Sequence, residues 1–380
     1  MNNSDKIQIM EMVRKNYNDN KSKIAGLYNN LKNAEKICVF GAGQLGSAVI
    51  NLFYKLDLGI KVDFICDNDV EKWGKTVFRD IKCISPKELA TYKNRNIIII
   101  IATKYHKEIY EQLKQESYHN LYSVLNYFGF KNAFLSLKSG VSIEEISDNL
   151  EKLIDVTEDF ESKQTLKNIA SNWFSFYPEN IKYENVCQEK TYFTKEIVLG
   201  ATETFVDAGA FDGDTIREFL SETQNSFEAI HSFEMDFCNY EILMEKIKEI
   251  PEINRNKITI YNIGLWDEKE VLKYNALLQG SNVDCEGEQE AKLDCLDDLL
   301  QDKDITYIKM DIEGAELKAL KGAQHIIKMQ RPKLAICLYH NPEDLWEIPN
   351  YIKQIVPEYK IYFRQHMELE CESVCYAVIP

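Results

Sequence analysis

The sequence predicts an α/β protein built from two doubly wound, largely parallel sheets in tandem. Three observations lead there. Two stretches, one opening near Lys36 and one near Thr204, alternate short apolar runs with amphipathic segments of helical period. Each places glycines directly after its first apolar run: Gly41, Gly43 and Gly46 in one, Gly209 and Gly213 in the other. Each then ends its next run in an acid, Asp67 or Glu234.

Composition fits two globular bodies. The 380 residues suggest two domains more readily than one, and 45% hydrophobic with 28% charged residues suffice for two cores. Lys and Arg total 45 against 61 Asp and Glu, a net charge of -16. Such a surface repels nucleic acid and anionic lipid, so neither is an expected partner, and it tolerates a neutral or cationic ligand. Met1-Asn2-Asn3-Ser4-Asp5 is polar and lacks the apolar stretch of a signal peptide. The longest aliphatic run, Ile97 to Ile101, falls far short of the roughly 20 residues of a membrane span. The ten cysteines are scattered, several in apolar runs (Cys38, Cys66, Cys337), with no Cys-x-x-Cys pair. They read as reduced thiols of a cytoplasmic protein. Cys371 and Cys375 lack a neighbouring histidine set, so no zinc site is expected.

Along the chain, residues 5–34 carry helical spacing (Ile9, Met12, Val13; Ile24, Leu27, Leu31). Strands follow at Lys36–Phe40, Val62–Cys66 and Ile97–Ala102, the last aliphatic throughout and so buried on both faces. Residues 131–200 read mostly as helix, with loops around Pro178 and 183–194, packing on the second domain. The second series offers strands at Thr204–Val206, Ala229–Phe233, Ile258–Tyr261, Ile305–Met310, Lys333–Leu338, Tyr359–Phe363 and Ser373–Ile379. The gap between the last two suits a hairpin, so the final strand should run antiparallel. The predicted segments are 1–34 helical, 35–130 a Rossmann-like nucleotide-binding domain, 131–200 a helical connector and 201–380 a second nucleotide-fold domain.

The two glycine turns differ. Gly41-x-Gly43-x-x-Gly46 has the spacing that brings helix N-terminal amides onto a pyrophosphate, with Asp67 for a ribose. The second turn, Asp207-Ala208-Gly209-Ala210-Phe211-Asp212-Gly213-Asp214-Thr215, is lined with acids. It suits a phosphate-free ligand such as S-adenosylmethionine, whose ribose Glu234 would bind.

The stretch 205–215 resembles the first motif of the FkbM family of methyltransferases. Tyr307-Ile308-Lys309-Met310-Asp311-Ile312-Glu313-Gly314-Ala315-Glu316, continuing into Leu320-Lys321-Gly322-Ala323, is similar to that family's most distinctive motif. Arg331-Pro332-Lys333, Leu338-Tyr339-His340, Asp344-Leu345-Trp346, Tyr362–His366 and Glu372–Ala377 follow in the same order, although Gln365 stands where the family often has a histidine. The resemblance covers about residues 190–380. It implies a seven-stranded methyltransferase sheet with an antiparallel last strand, and O-methyl transfer, often to a hydroxyl of a sugar or other natural product. The first domain is similar to nucleotide-binding modules beside enzymes of surface-glycan pathways, which suggests polysaccharide biosynthesis and a nucleotide or nucleotide-sugar ligand.

Roles follow from strand ends. Asp207, Gly209, Ala210, Gly213, Asp214, Thr215, Glu234, Asn262, Gly264 and Trp266 are the expected cofactor residues. Trp266 either stacks on adenine or is core. Asp311 and His340 should face the methyl group, His340 as general base because imidazole titrates near neutral pH. Asp311 could instead orient the acceptor, act as base or, with Glu313, hold a divalent cation, but the further oxygen ligands are not evident and no metal is expected. Glu316 could simply cap or pair, and Ser281 should lie on a loop near the acceptor. The competing reading is a nicotinamide-dependent sugar oxidoreductase or epimerase run by the first domain. Its Tyr-x-x-x-Lys spacing occurs at Tyr110/Lys114 and Tyr127/Lys131, after only three predicted strands and so earlier than such an enzyme would place it. A third reading makes that domain a nucleotide-sugar-binding module.

Overall fold

A computed structural model describes residues 3–78, 80–124, 127–139, 143–172, 186–275, 282–283, 289–341, 343–367 and 372–380. The chain divides into two units, Met1–Glu151 with Lys167–Glu184, and Lys152–Leu166 with Asn185–Pro380.

The first unit opens with helix Asn3–Asn33, whose Ile24, Leu27 and Leu31 are buried, as their three- and four-residue spacing requires. Its sheet contains β1 (Lys36–Phe40), β2 (Phe64–Cys66), β3 (Thr76–Phe78), β4 (Ile81–Ile84), β5 (Ile97–Ile101) and β6 (Leu121–Ser123), in the order β3-β4-β2-β1-β5-β6. β1 lies parallel between β2 and β5, and every residue of β5 is buried. Apolar clusters on both faces include Val39, Ile98 and Phe53 on one and Cys38, Ile99 and Leu113 on the other. Sequence pattern overlooks β3, β4 and β6, which are three or four residues long and at most half apolar-buried. The strand count for the Tyr-x-x-x-Lys pairs is corrected accordingly: β1 to β5 precede Tyr110, and β6 also precedes Tyr127. Lys114 Nζ lies 5.7 Å from the centre of the Tyr110 ring.

In the second unit β7 (Thr204–Ala208), β8 (Ala229–Phe233) and β9 (Ile258–Tyr261) are followed by β10 (Gly264–Leu265), β11 (Glu270–Asn275), β12 (Asn282–Val283) and β13 (Gln289–Asp294). Then come β14 (Tyr307–Met310), β15 (Lys333–Cys337), β16 (Lys360–Gln365) and β17 (Ser373–Val378). The main sheet has the order β16-β17-β15-β14-β7-β8-β9. β17 inserts antiparallel between β15 and β16, as the short hairpin gap predicts, while β7, β8, β9, β14 and β15 pair in parallel. Beneath β7, Phe205 stacks on Phe219 and Tyr307, with ring centres 4.6 and 4.9 Å apart. The crossover from β9 to β14 holds a four-stranded sheet, β10-β13-β11-β12, that was not expected. Its strands are short or charged (Glu270, Lys273, Glu290, Lys292) and lack a continuous apolar run.

The connector region forms helices Tyr127–Ser139, Ile143–Val156 and Phe160–Asn172. Pro178 and residues 183–185 lie outside the described residues. The expectation that this whole region packs on the second domain is corrected: residues up to Glu151 and those from Lys167 to Glu184 belong with the first unit, and Lys152–Leu166 with the second. Arg364 on β16, fully buried, holds this last segment through Asp159 (2.6 Å) and Ser162 (2.8 Å), and it also pairs with Glu196.

Candidate active site

The carboxyl ends of β7, β14 and β15 meet at one edge of the main sheet. In the pairing of β7 with β14, Asp207 stands opposite Lys309. Both side chains are almost fully buried, and Lys309 Nζ donates to Asp207 Oδ1 at 3.0 Å and to the Gly209 carbonyl at 2.7 Å. A lysine survives in an apolar strand only because its charge is met this way. Burial pushes the Asp207 carboxyl up, although Lys309 pulls it down. The chain then turns at Gly209, φ +80°. A Cβ there would overlap the Asp311 carbonyl oxygen, so the turn is glycine for close backbone packing as well as for ligand access. Ala210 and Thr215 are buried, Gly213 starts helix Asp214–Glu222, and Asp214 accepts from the Thr215 amide at 2.7 Å. Asp212 pairs with Lys246 and, at 3.2 Å, with Arg217. The turn is therefore less anionic than its sequence suggests.

Glu234 sits at the end of β8, 8% exposed. Its two oxygens accept from the Phe211 amide (2.9 Å) and the Asp236 amide (2.8 Å), which ties it to the turn. Burial raises its pKa to about 7 against the pull of those amides. Asn262 donates to the Glu234 and Met235 carbonyls at 3.0 and 3.1 Å, and Gly264 begins β10 against Leu293. Trp266 packs beside Tyr274 and Leu293, and Lys318 Nζ covers its ring at 4.3 Å. Ser281 lies outside the described residues.

Asp311 and His340 come together as their strand ends predict: His340 Nε2 is 3.4 Å from Asp311 Oδ1 and 3.6 Å from Glu313 Oε2. On the other side of the ring, Nδ1 is 2.9 Å from Glu316 Oε1. Glu316 is fully buried and also accepts from the Ile312 amide (2.8 Å) and the Gly314 amide (3.0 Å), so it shapes the 311–315 loop. Asp311 accepts from the Tyr192 hydroxyl (2.8 Å) and the Tyr339 hydroxyl (3.0 Å). Burial lowers the His340 pKa, but Glu316, Asp311 and Glu313 outweigh it and lift it to about 10. The expectation that this imidazole titrates near neutral pH is thus corrected: carboxylates on both nitrogens hold it as the cation, which has no lone pair to accept a proton. Burial opposes ionisation of Asp311, yet His340, Lys309 and the two tyrosines keep its carboxyl below the usual range.

In the first unit, Gly41 (φ +122°) and Gly46 pack against backbone, whereas a Cβ on Gly43 would meet nothing within 4 Å. Asp67 accepts from the Ala42 amide (2.7 Å), the Asp69 amide (2.9 Å) and Lys72 (3.1 Å). Burial works against it, but these donors hold its carboxyl below the usual range.

Sequence reasoning assigned no role to Lys309, Tyr192 or Tyr339. Lys309 carried a signal, a lone charge in the apolar strand Tyr307–Met310. Tyr192 carried none.

Residues 207–360 match the methyltransferase FkbM domain family, and residues 33–121 match a family described as C2185-like, N-terminal. No curated protein matches the sequence. Among solved structures, methyltransferase FkbM from Methylobacillus flagellatus KT is similar at a TM-score of 0.69 and 22% identity, covering 96% of this chain and 99% of that one. At that identity the likeness is one of fold. An rRNA methylase from Streptococcus thermophilus (TM-score 0.32, 13% identity, 48% of this chain, 90% of that one) is too distant to add to it. The motifs of the 207–215 turn and the 307–316 strand end lie in the matched region. The second unit carries the methyltransferase domain of the FkbM family, and the chain is an S-adenosylmethionine-dependent methyltransferase.

Proposed function

We propose that the enzyme moves the methyl group of S-adenosylmethionine to a hydroxyl of a sugar, glycan or related natural product. The observation that carries this is the coupling of Glu234 to the glycine turn: one buried carboxylate, fixed by the Phe211 amide, stands where two ribose hydroxyls would donate. In this reading Asp207, Gly209, Ala210, Gly213, Asp214 and Thr215 cradle the methionine part, while Asn262, Gly264 and Trp266 border the adenine. Asp311 and His340 then flank the methyl group and orient the acceptor, and correct orientation supplies much of the rate of an in-line displacement.

For the first unit we assign a nucleotide or nucleotide sugar at Gly41, Gly43, Gly46 and Asp67. The open space beside Gly43 favours it, since no protein atom requires glycine there. Asp67, already holding three donors, has less to offer a ribose than Glu234. We assign the enzyme to the cytoplasm: the cysteines among the described residues are free thiols, as a reducing compartment keeps them. With its acidic surface it should act on a small-molecule or glycan acceptor, without nucleic acid or membrane. Calorimetric titration with S-adenosylhomocysteine should show saturable binding, and labelled methyl donor should mark a hydroxyl compound in a screen of nucleotide sugars and glycan fragments. Absence of any heat with the homocysteine product would end the donor assignment; labelling of amines alone would end the hydroxyl assignment.

A further inference from the structure

We propose that Asp311, Glu313 and His340 form a divalent-cation site beside the methyl-transfer centre, with Glu316 fixing the imidazole from behind. The inference rests on the reading of the site given above and extends it to the class of acceptor.

The two nitrogens of His340 have different surroundings. Nδ1 lies 2.9 Å from Glu316 Oε1, and that carboxylate is itself held by the Ile312 and Gly314 amides. A histidine bound to a metal usually passes its other N–H to such a carboxylate, which sets the tautomer and aims the free nitrogen. Nε2 faces Asp311 Oδ1 at 3.4 Å and Glu313 Oε2 at 3.6 Å, and an ion bound between them would displace the proton that Nε2 carries in the metal-free cation. Those spans exceed the roughly 2.7–3.2 Å of an N–H···O hydrogen bond. They approach the separation of two ligands that each stand about 2.1 Å from one shared ion, roughly 3.0–3.4 Å. Asp311 is also oriented from outside, by the hydroxyls of Tyr192 and Tyr339, so both inner ligands have outer holders. Asp311, Glu316 and His340, from a strand end, a helix start and a second strand end, each bring one atom within 4.8 Å of the others, and Glu313 joins them only through His340 Nε2, 3.6 Å from its Oε2.

One imidazole with two carboxylates suits an ion that takes nitrogen and oxygen together, such as Mn2+ or Zn2+, better than Mg2+ or Ca2+, which prefer oxygen alone. Three protein ligands leave positions open. An acceptor with its hydroxyl next to a second oxygen, as in a vicinal diol, would fill two of them. The ion would lower the hydroxyl pKa; the proton leaves to water, the O–C bond forms as the C–S bond breaks, and the donor departs as a neutral thioether.

The test uses the full chain, stripped with chelator and titrated with MnCl2 at pH 7.5 while free Mn2+ is followed by electron paramagnetic resonance. Saturable uptake of one ion per chain is expected. His340→Ala should abolish it, and Glu316→Gln should weaken it about 10- to 100-fold. Both variants should still bind S-adenosylhomocysteine by calorimetry, which shows that they fold. No saturable uptake by the wild-type chain, or equal uptake by His340→Ala, overturns the proposal. Failure of the wild-type chain to bind S-adenosylhomocysteine is a separate result, and it would strike the donor assignment instead.

Discussion

The two glycine turns look alike in sequence, yet their acids are in opposite states. Asp67 is surrounded by donors and held below the usual carboxylate range, so its hydrogen-bonding capacity is largely spent inside the protein. Glu234 accepts one amide on each oxygen and is raised to about 7 by burial, so it stands to gain from further donors. The glycines invert the pattern: Gly209 is required by the Asp311 carbonyl, while Gly43 meets open space. A glycine–acid signature therefore marks a nucleotide-fold turn without saying which of its parts is left for a ligand.

The comparison breaks most sharply at Lys309. The second turn is pinned by a buried ion pair, and the first has none among its described residues. Lys309→Met leaves Asp207 buried without its partner, which should cost about 3–5 kcal/mol. Denaturant melts should show that loss in the second unit, and pairing the change with Asp207→Leu should recover a large part of it. Equal stability of Lys309→Met and wild type would mean that the pair does not hold the turn. The next effect is on binding. Glu234→Ala removes a charged acceptor for two hydroxyls, each such bond being worth about 1.5–3 kcal/mol. Affinity for S-adenosylhomocysteine should fall at least about 100-fold by calorimetry, whereas Asp67→Ala should leave it unchanged.

The main sheet was legible because each strand of the series is an apolar run after a turn signal, and the reversed last strand followed from loop length alone. Meeting of Asp311 and His340 was legible for the same reason, since parallel strands bring their ends to one edge. The chemical state of His340 was not: it depends on Glu316 and Glu313, whose orientation is set by the left-handed bend at Glu313 (φ +58°) and Gly314 (φ +99°). Tyr192 was invisible because it reaches Asp311 from 119 positions away, out of a loop with no periodicity. The strands β3, β4 and β6 were missed because so few residues carry no usable period.

A pH titration sharpens the contrast at lower cost to the fold. Glu234 has its pKa raised, so its proton is still bound through weakly acidic pH and lost as pH rises through about 7. If the ribose needs the carboxylate, binding of S-adenosylhomocysteine should be constant above about pH 8 and weaken about tenfold per unit below pH 7, with proton release on binding near pH 7. Glu234→Gln should flatten the profile. Asp67 is lowered and stays ionised throughout this window, so it contributes no slope.

The smallest expected effect is at Gly43. Its φ of -118° is open to any residue, and a Cβ would meet nothing within 4 Å. It caps helix Gln44–Lys55 without a side-chain bond, and exchanging glycine for alanine at such a cap costs about 0.5–1 kcal/mol. Gly43→Ala should therefore melt within about 4 °C of wild type, since about 1 kcal/mol moves Tm by roughly 2–4 °C in a domain of this size. A larger loss would mean that the turn is tightened by contacts absent from this conformation. If the variant keeps its stability but loses affinity for a nucleotide sugar that wild type binds, the empty space beside Gly43 is the path of a ligand. If it keeps both, the first turn differs from the second in a further respect: its middle glycine serves neither the protein backbone nor a bound group.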